Sequence, residues 1–117
     1  MKLNHLDLQV SDVSQTARLF EELLGFRCTS NPESAALVFM TDGAGFTLVL
    51  QRKKSDAAYP EDFHFGCLVE DPTEVERFQA AVRAKGFEVS DVIRNNRGVL
   101  CYWRSPDGFL VEVSHHL

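Results

Sequence analysis

Residues 64–74 read HFGCLVEDPTE, and residues 5–13 read HLDLQVSDV; laid over each other, these two stretches decide the fold. His64 falls on His5, Val69 on Val10 and Asp71 on Asp12. The earlier copy alternates, with Leu3, His5, Asp7 and Gln9 on one face and Leu6, Leu8 and Val10 on the other, the period of a half-buried strand. Each copy then runs into a helix start. Ser11-Asp12 offers two N-cap residues, and Asp71-Pro72-Thr73-Glu74 combines an acidic cap, proline at the first helical position and Glu three residues past the cap.

Working outward, the correspondence continues. Val13, Ala17, Phe20 and Leu24 recur at helical spacing before Gly25, and Val75, Phe78 and Val82 do so before Lys85-Gly86. Extended segments are expected at Phe26–Ser30, Ala35–Met40 and Phe46–Gln51, then at Phe87–Ile93, Gly98–Arg104 and Phe109–Ser114. Phe39-Met40 falls on Tyr102-Trp103, the turn at 42–46 on that at 105–109, and Val49 on Glu112. Internal repetition is a fold-level signal. It implies an α+β protein of two βαβββ modules, residues 1–51 and 63–117, joined by the polar connector 52–62 into one domain. Their curved mixed sheets would pair around a cup.

Composition narrows the function. The 117 residues carry 12 Lys and Arg against 17 Asp and Glu, a net charge of -5 without a basic stripe, which argues against a nucleic-acid partner. The longest apolar run, Ala35–Met40, is too short to span a bilayer, and the N-terminus has no signal-type apolar region. Cys28, Cys67 and Cys101 are odd in number and lack metal-finger spacing. A cytoplasmic location is expected.

Of four histidines, two occupy the repeat-equivalent positions 5 and 64, on the strand face that does not carry the helix-packing residues. Glu112 stands among Leu110, Val111 and Val113, where burial of a lone carboxylate would cost several kcal/mol. A divalent ion held by His5, His64 and Glu112 would remove that cost and leave open positions for an oxygen-bearing substrate. Asp7 and Gln9 share the His5 face. Tyr102 is read equally as a core aromatic and as a substrate-contacting phenol. Arg97 and Arg104 are expected in solvent, with pairing to an anionic substrate as the alternative for either, and His115-His116 in a terminal tail, while Cys67 and Cys101 point away from His64 and Tyr102.

The opening Leu3–Asp12, the closing Ser105–Val113 and His64 between them resemble the vicinal oxygen chelate superfamily over essentially the whole chain. That group includes glyoxalase I, extradiol dioxygenases, fosfomycin-resistance thiol transferases and bleomycin-resistance proteins. The resemblance implies metal ligands at the start of each module's first strand and the end of its last, here His5, Val49, His64 and Glu112. Val49 stands where glyoxalase I has a carboxylate, so three ligands remain. The ring-cleaving dioxygenases resemble the chain in those three and in Tyr102, but they use a further histidine between the first two, and none lies between His5 and His64. The fosfomycin enzymes have a threonine in place of Asp7 and a potassium loop in place of Asn95–Gly98.

The expectation is therefore a metal-dependent enzyme of the glyoxalase type. It would use Zn, Ni, Mn or Fe on a small substrate with vicinal oxygens, in lyase or isomerase chemistry. Glu112, Tyr102 and Asp7 are the catalytic candidates. Relatives commonly dimerise with shared sites, so a homodimer is expected. The alternatives are a non-catalytic drug- or metabolite-binding resistance protein and a thiol transferase acting on an epoxide.

Overall fold

A computed structural model describes residues 1–117. The elements run β1 (His5–Val10), α1 (Val13–Leu24), β2 (Arg27–Cys28), β3 (Leu37–Thr41) and β4 (Thr47–Arg52). They continue as β5 (His64–Leu68), α2 (Pro72–Ala84), β6 (Ile93–Asn95), β7 (Gly98–Arg104) and β8 (Leu110–His116). The chain divides into two compact units, Met1–Asp56 and Ala57–Leu117, so the second half of the expected connector belongs to the second unit.

Each unit is a βαβββ module with one four-stranded sheet, in the orders β1-β4-β3-β2 and β5-β8-β7-β6. The first strand lies parallel to the last, and the remaining pairs are antiparallel, so both sheets are mixed. The helix supplies the crossover that this parallel neighbour requires.

In the first module Leu8 and Val10, Val38 and Met40, and Leu48 and Leu50 are buried with Val13, Ala17, Leu19 and Phe20 of α1. The second packs Val75, Phe78 and Val82 of α2 with Cys101, Trp103, Phe109, Val111 and Val113. Trp103 is fully buried, its ring 6.3 Å from Phe78 and 6.0 Å from Phe87. In each sheet the alternate residues, His5 and His64 among them, face away from the helix.

Both caps form at the aspartates. The Asp12 carboxylate accepts from Gln15 N–H at 3.0 Å, and Gly25 ends α1 in the left-handed region at φ 72°. Asp71 accepts from the backbone and hydroxyl of Thr73, which hold its carboxyl below the usual 3.8. A depressed folded value means that this stabilisation is complete above pH 3.8 and is lost as pH falls through the folded value. Acid titration is thus expected to speed hydrogen exchange at the first turn of α2 in that window, and Asp71→Ala is expected to abolish the dependence.

Three expectations are corrected. Phe87–Ile93 is not a strand: only a bridge from Val89 to Trp103 forms, and the edge strand begins at Ile93. The Ser90 hydroxyl accepts from Tyr102 N–H at 3.0 Å and donates to Asp91 carbonyl oxygen at 2.9 Å, replacing a main-chain partner in the ladder. The first module does the same with Ser30, which takes Phe39 N–H at 2.9 Å and cuts Phe26–Ser30 down to β2. His115 and His116 are not a tail but the end of β8, His115 Nδ1 lying 3.2 Å from Val69 carbonyl oxygen.

Candidate functional site

The register of the second sheet sets out the face turned away from α2 as cross-strand rows: His64, Leu110 and Arg104; then Gly66, Glu112 and Tyr102; then Leu68, Ser114 and Leu100. Chemistry concentrates in the first two. Tyr102 Oη donates to Glu112 Oε1 at 2.7 Å. That donation, with some desolvation and the carboxylate charge, raises the phenol above its ordinary range. Glu112 is half-buried rather than enclosed, so the expected cost of a lone buried carboxylate does not arise. Its second oxygen lies over Gly66, 3.5 Å from where a Cβ would stand. Oε1 is therefore engaged by Tyr102, while Oε2 lies over a residue with no side chain.

His64 meets the Tyr102 ring edge-on, centroids 5.8 Å apart. Its Nδ1 lies 2.9 Å from Asp62 carbonyl oxygen. A carbonyl oxygen only accepts, so Nδ1 carries the proton, and in the neutral ring Nε2 then keeps its lone pair. A cleft of about 510 Å³ opens here, lined in part by His64, Glu88, Ser90, Tyr102, Arg104 and Leu110. Its size is that of small-molecule sites. On the opposite face the Cys101 thiol is fully buried and pushed up to about 11 by burial, so it is inert as a nucleophile.

The first module repeats the register and keeps the histidine, but the other positions of its rows are exchanged. Its rows are His5, Thr47 and Thr41, then Asp7, Val49 and Phe39, then Gln9, Gln51 and Leu37. Val49 thus stands across from Asp7 as Glu112 stands across from Gly66, and the carboxylate moves to the neighbouring strand. Gln9 Nε2 donates to Asp7 Oδ1 at 3.1 Å and to Gln51 Oε1 at 2.9 Å. The His5 Nδ1 lies 2.8 Å from Asn4 Oδ1, an acceptor again, so Nδ1 is likewise the nitrogen that carries the proton of the neutral ring. So His64, Glu112 and Tyr102 are brought together in the second module, while His5 and Asp7 lie together on β1 of the first. No group of three or more His, Cys, Asp or Glu side chains gathers within either module.

Sequence reasoning missed Arg104. Expected in solvent, its side chain is only 29% exposed. One amino group donates to the carbonyl oxygens of Glu61 and Gly108, both at 2.8 Å, and Nε lies 3.5 Å from Glu88. The available signal was its position two residues from Tyr102, hence on the same strand face, directly before the Ser105–Gly108 turn. It missed as well the two oxygens, of Asn4 and Asp62, that fix the imidazoles.

The profile of the Glyoxalase/Bleomycin resistance protein/Dioxygenase superfamily matches residues 2–113. No curated protein matches the chain. Among solved structures, a possible glyoxalase from Bacillus cereus is 30% identical with a TM-score of 0.85, covering 97% of this chain and 98% of the other. The lactoylglutathione lyase of Agrobacterium tumefaciens is 21% identical with a TM-score of 0.76, over 97% and 92% of the two chains. A mutant of the fosfomycin resistance protein FosX of Listeria monocytogenes, in complex with Mn(II) and 1S,2S-dihydroxypropylphosphonic acid, is 18% identical with a TM-score of 0.82, over 99% and 92%. The last two likenesses are evidence of fold alone.

Proposed function

Because the chain belongs to the Glyoxalase/Bleomycin resistance protein/Dioxygenase superfamily, we propose that it is a metal-dependent enzyme of the glyoxalase type, acting on a small substrate with two neighbouring oxygens in lyase or isomerase chemistry. The observation that carries this reading is the state of the two repeat-equivalent imidazoles. Each donates its Nδ1–H to an oxygen acceptor, which in the neutral ring leaves the Nε2 lone pair for a metal, the arrangement that suits ligating histidine. Glu112 adds an oxygen over Gly66. Two imidazoles and one carboxylate suit Zn, Ni, Mn or Fe. The Mn(II) complex of FosX, a protein of the same fold, supports a divalent ion here by analogy.

In this reading His64 and Glu112 of the second module hold the ion together with His5, from the first module of the same chain or of a second copy in a homodimer. The ion supplies Lewis acidity that stabilises negative charge developing on a substrate oxygen. Tyr102, which donates its proton to Glu112, orients that carboxylate and presents its phenol oxygen to the cleft, where it accepts from a substrate hydroxyl. Asp7 is the second group for proton transfer. Leu110 and Val89 give the cleft an apolar wall against which the substrate's carbon frame packs.

Acetohydroxamate, a small chelator with vicinal oxygens, tests the reading. It is expected to bind the Mn(II)-loaded protein and not the metal-free protein, as followed by calorimetry. Equal affinity for both forms would overturn the proposal and leave a binding protein that traps its ligand without metal.

A further inference from the structure

The tautomer of His64 rests on a main-chain carbonyl that is not part of any strand. Asp62 precedes β5, where ladder hydrogen bonds begin with Leu110 N–H to Phe63 carbonyl oxygen at 2.9 Å. The carbonyl just upstream, that of Glu61, is held by Arg104 at 2.8 Å. The same amino group holds Gly108, in the turn that leads into β8. One guanidinium therefore ties the segment entering the His64 strand to the turn entering the Glu112 strand.

We propose that Arg104 is a positioning residue: by fixing the Glu61–Asp62 peptides it sets the proton of His64 on Nδ1 and keeps Nε2 available as a donor. Free neutral histidine favours the opposite tautomer, with the proton on Nε2, so the donor form of His64 needs a partner at Nδ1. Asp62 is that partner, and its carbonyl faces the ring only while the peptides before it keep their orientation. The bonds from Arg104 are charge-assisted and made to main chain, the stronger class. Its contact with Glu88 is 3.5 Å from a carboxylate that is 76% exposed, a surface pairing of little worth. The segment is also held by the turn bond from Phe63 N–H to Pro60 carbonyl oxygen at 3.0 Å, which fixes the peptide that carries the Asp62 carbonyl, and by Tyr59, whose ring stacks on Phe63 at 5.1 Å and meets Phe109 at 5.2 Å. Arg104 holds the peptide before it, through the Glu61 carbonyl. The first module does without such a device because Asn4, adjacent in sequence, reaches His5 with its own side chain.

The inference rests on reading His64 as a metal donor, yet it has a readout in the metal-free protein. Long-range ¹⁵N–¹H correlation spectra at about pH 8, where imidazole is neutral, assign the tautomer of each histidine. Wild type is expected to show both His5 and His64 protonated on Nδ1. Arg104→Met is expected to shift His64 to the Nε2–H form, leave His5 unchanged and weaken Zn(II) binding about 10- to 100-fold. Arg104→Lys, which keeps a donor for one carbonyl, is expected to restore part of both, and it tests the same claim if the methionine variant does not fold. His64 remaining protonated on Nδ1 in the methionine variant would overturn the proposal and assign the segment's geometry to the Pro60 turn and the aromatic stack. Failure of wild type to bind Zn(II) would instead contradict the metal reading, while the tautomer spectra still decide the role of Arg104.

Discussion

Glu112→Gln is expected to leave the fold intact and to weaken divalent-metal binding by more than about 100-fold, the upper end of what loss of a mere supporting group costs. The substitution keeps the shape of the side chain, and the amide oxygen still accepts the Tyr102 hydroxyl that now sits 2.7 Å from Oε1. What is lost is the charge, together with the oxygen over Gly66, replaced by an NH₂ that donates and cannot coordinate. Because Glu112 is half-buried and its neighbours are Tyr102 and Gly66, no ion pair is broken and no cavity opens. Competition against a chromogenic chelator gives the affinity, and a thermal melt confirms the fold. A variant that binds metal within a few-fold of wild type would remove Glu112 from the site.

Gly98→Ala is the largest expected effect on stability. Gly98 opens β7 at φ 138°, a conformation that L-residues rarely adopt, and a Cβ there would stand 1.9 Å from His115 carbonyl oxygen. The obstacle is backbone of the paired strand, held in register by Gly98 opposite His116 and Val99 opposite His115, so no side-chain rotation relieves it. Either the end of β8 detaches or the turn at Asn96-Arg97 re-forms. Strained backbone of this kind costs about 1–3 kcal/mol before any lost pairing is counted, so a total above about 3 kcal/mol is expected. That is a large share of a small domain's stability of about 5–15 kcal/mol. In a thermal melt the midpoint should fall by about 10 °C or more. Gly66→Ala is the contrast: nothing lies nearer than 3.5 Å to its Cβ, and the fold should tolerate it with a change within about 0.5 kcal/mol. Equal melting of the two variants would show that the Gly98 approach is not rigid.

Much of this fold is legible in the sequence because each decisive feature is local. The alternation through Leu6, Leu8 and Val10, the aspartate caps and the stripe Val75, Phe78 and Val82 each encode an element within a few residues, and their recurrence gives the two-module plan. The reading failed where a side chain took over a main-chain role. Ser90 bonds Tyr102 N–H, so Phe87–Ile93, expected as a strand, forms only a bridge at Val89 before the edge strand begins. His115 and His116 look like a polar tail because main-chain pairing with Val99 and Gly98 leaves no hydrophobic pattern to read.

The site shows the same division. His5 and His64 stand out by repetition, and Glu112 by its apolar neighbours, although the burial first invoked for Glu112 is relieved by its partial exposure and Tyr102. The oxygens of Asn4 and Asp62, which make the imidazoles donors, are invisible to a pattern of residue types: one is a main-chain carbonyl, and its holder, Arg104, lies 43 residues away from Glu61.

The central claim is that two imidazoles, His5 and His64, and the Glu112 carboxylate hold one divalent ion. Pulsed electron paramagnetic resonance on Mn(II)-loaded protein, labelled with ¹⁵N at histidine, counts the coordinated imidazoles directly. Two are expected in wild type, one each in His5→Ala and His64→Ala, and two in His116→Ala. A spectrum without histidine nitrogen coupling, or a count unchanged by either of the first two substitutions, would contradict the account.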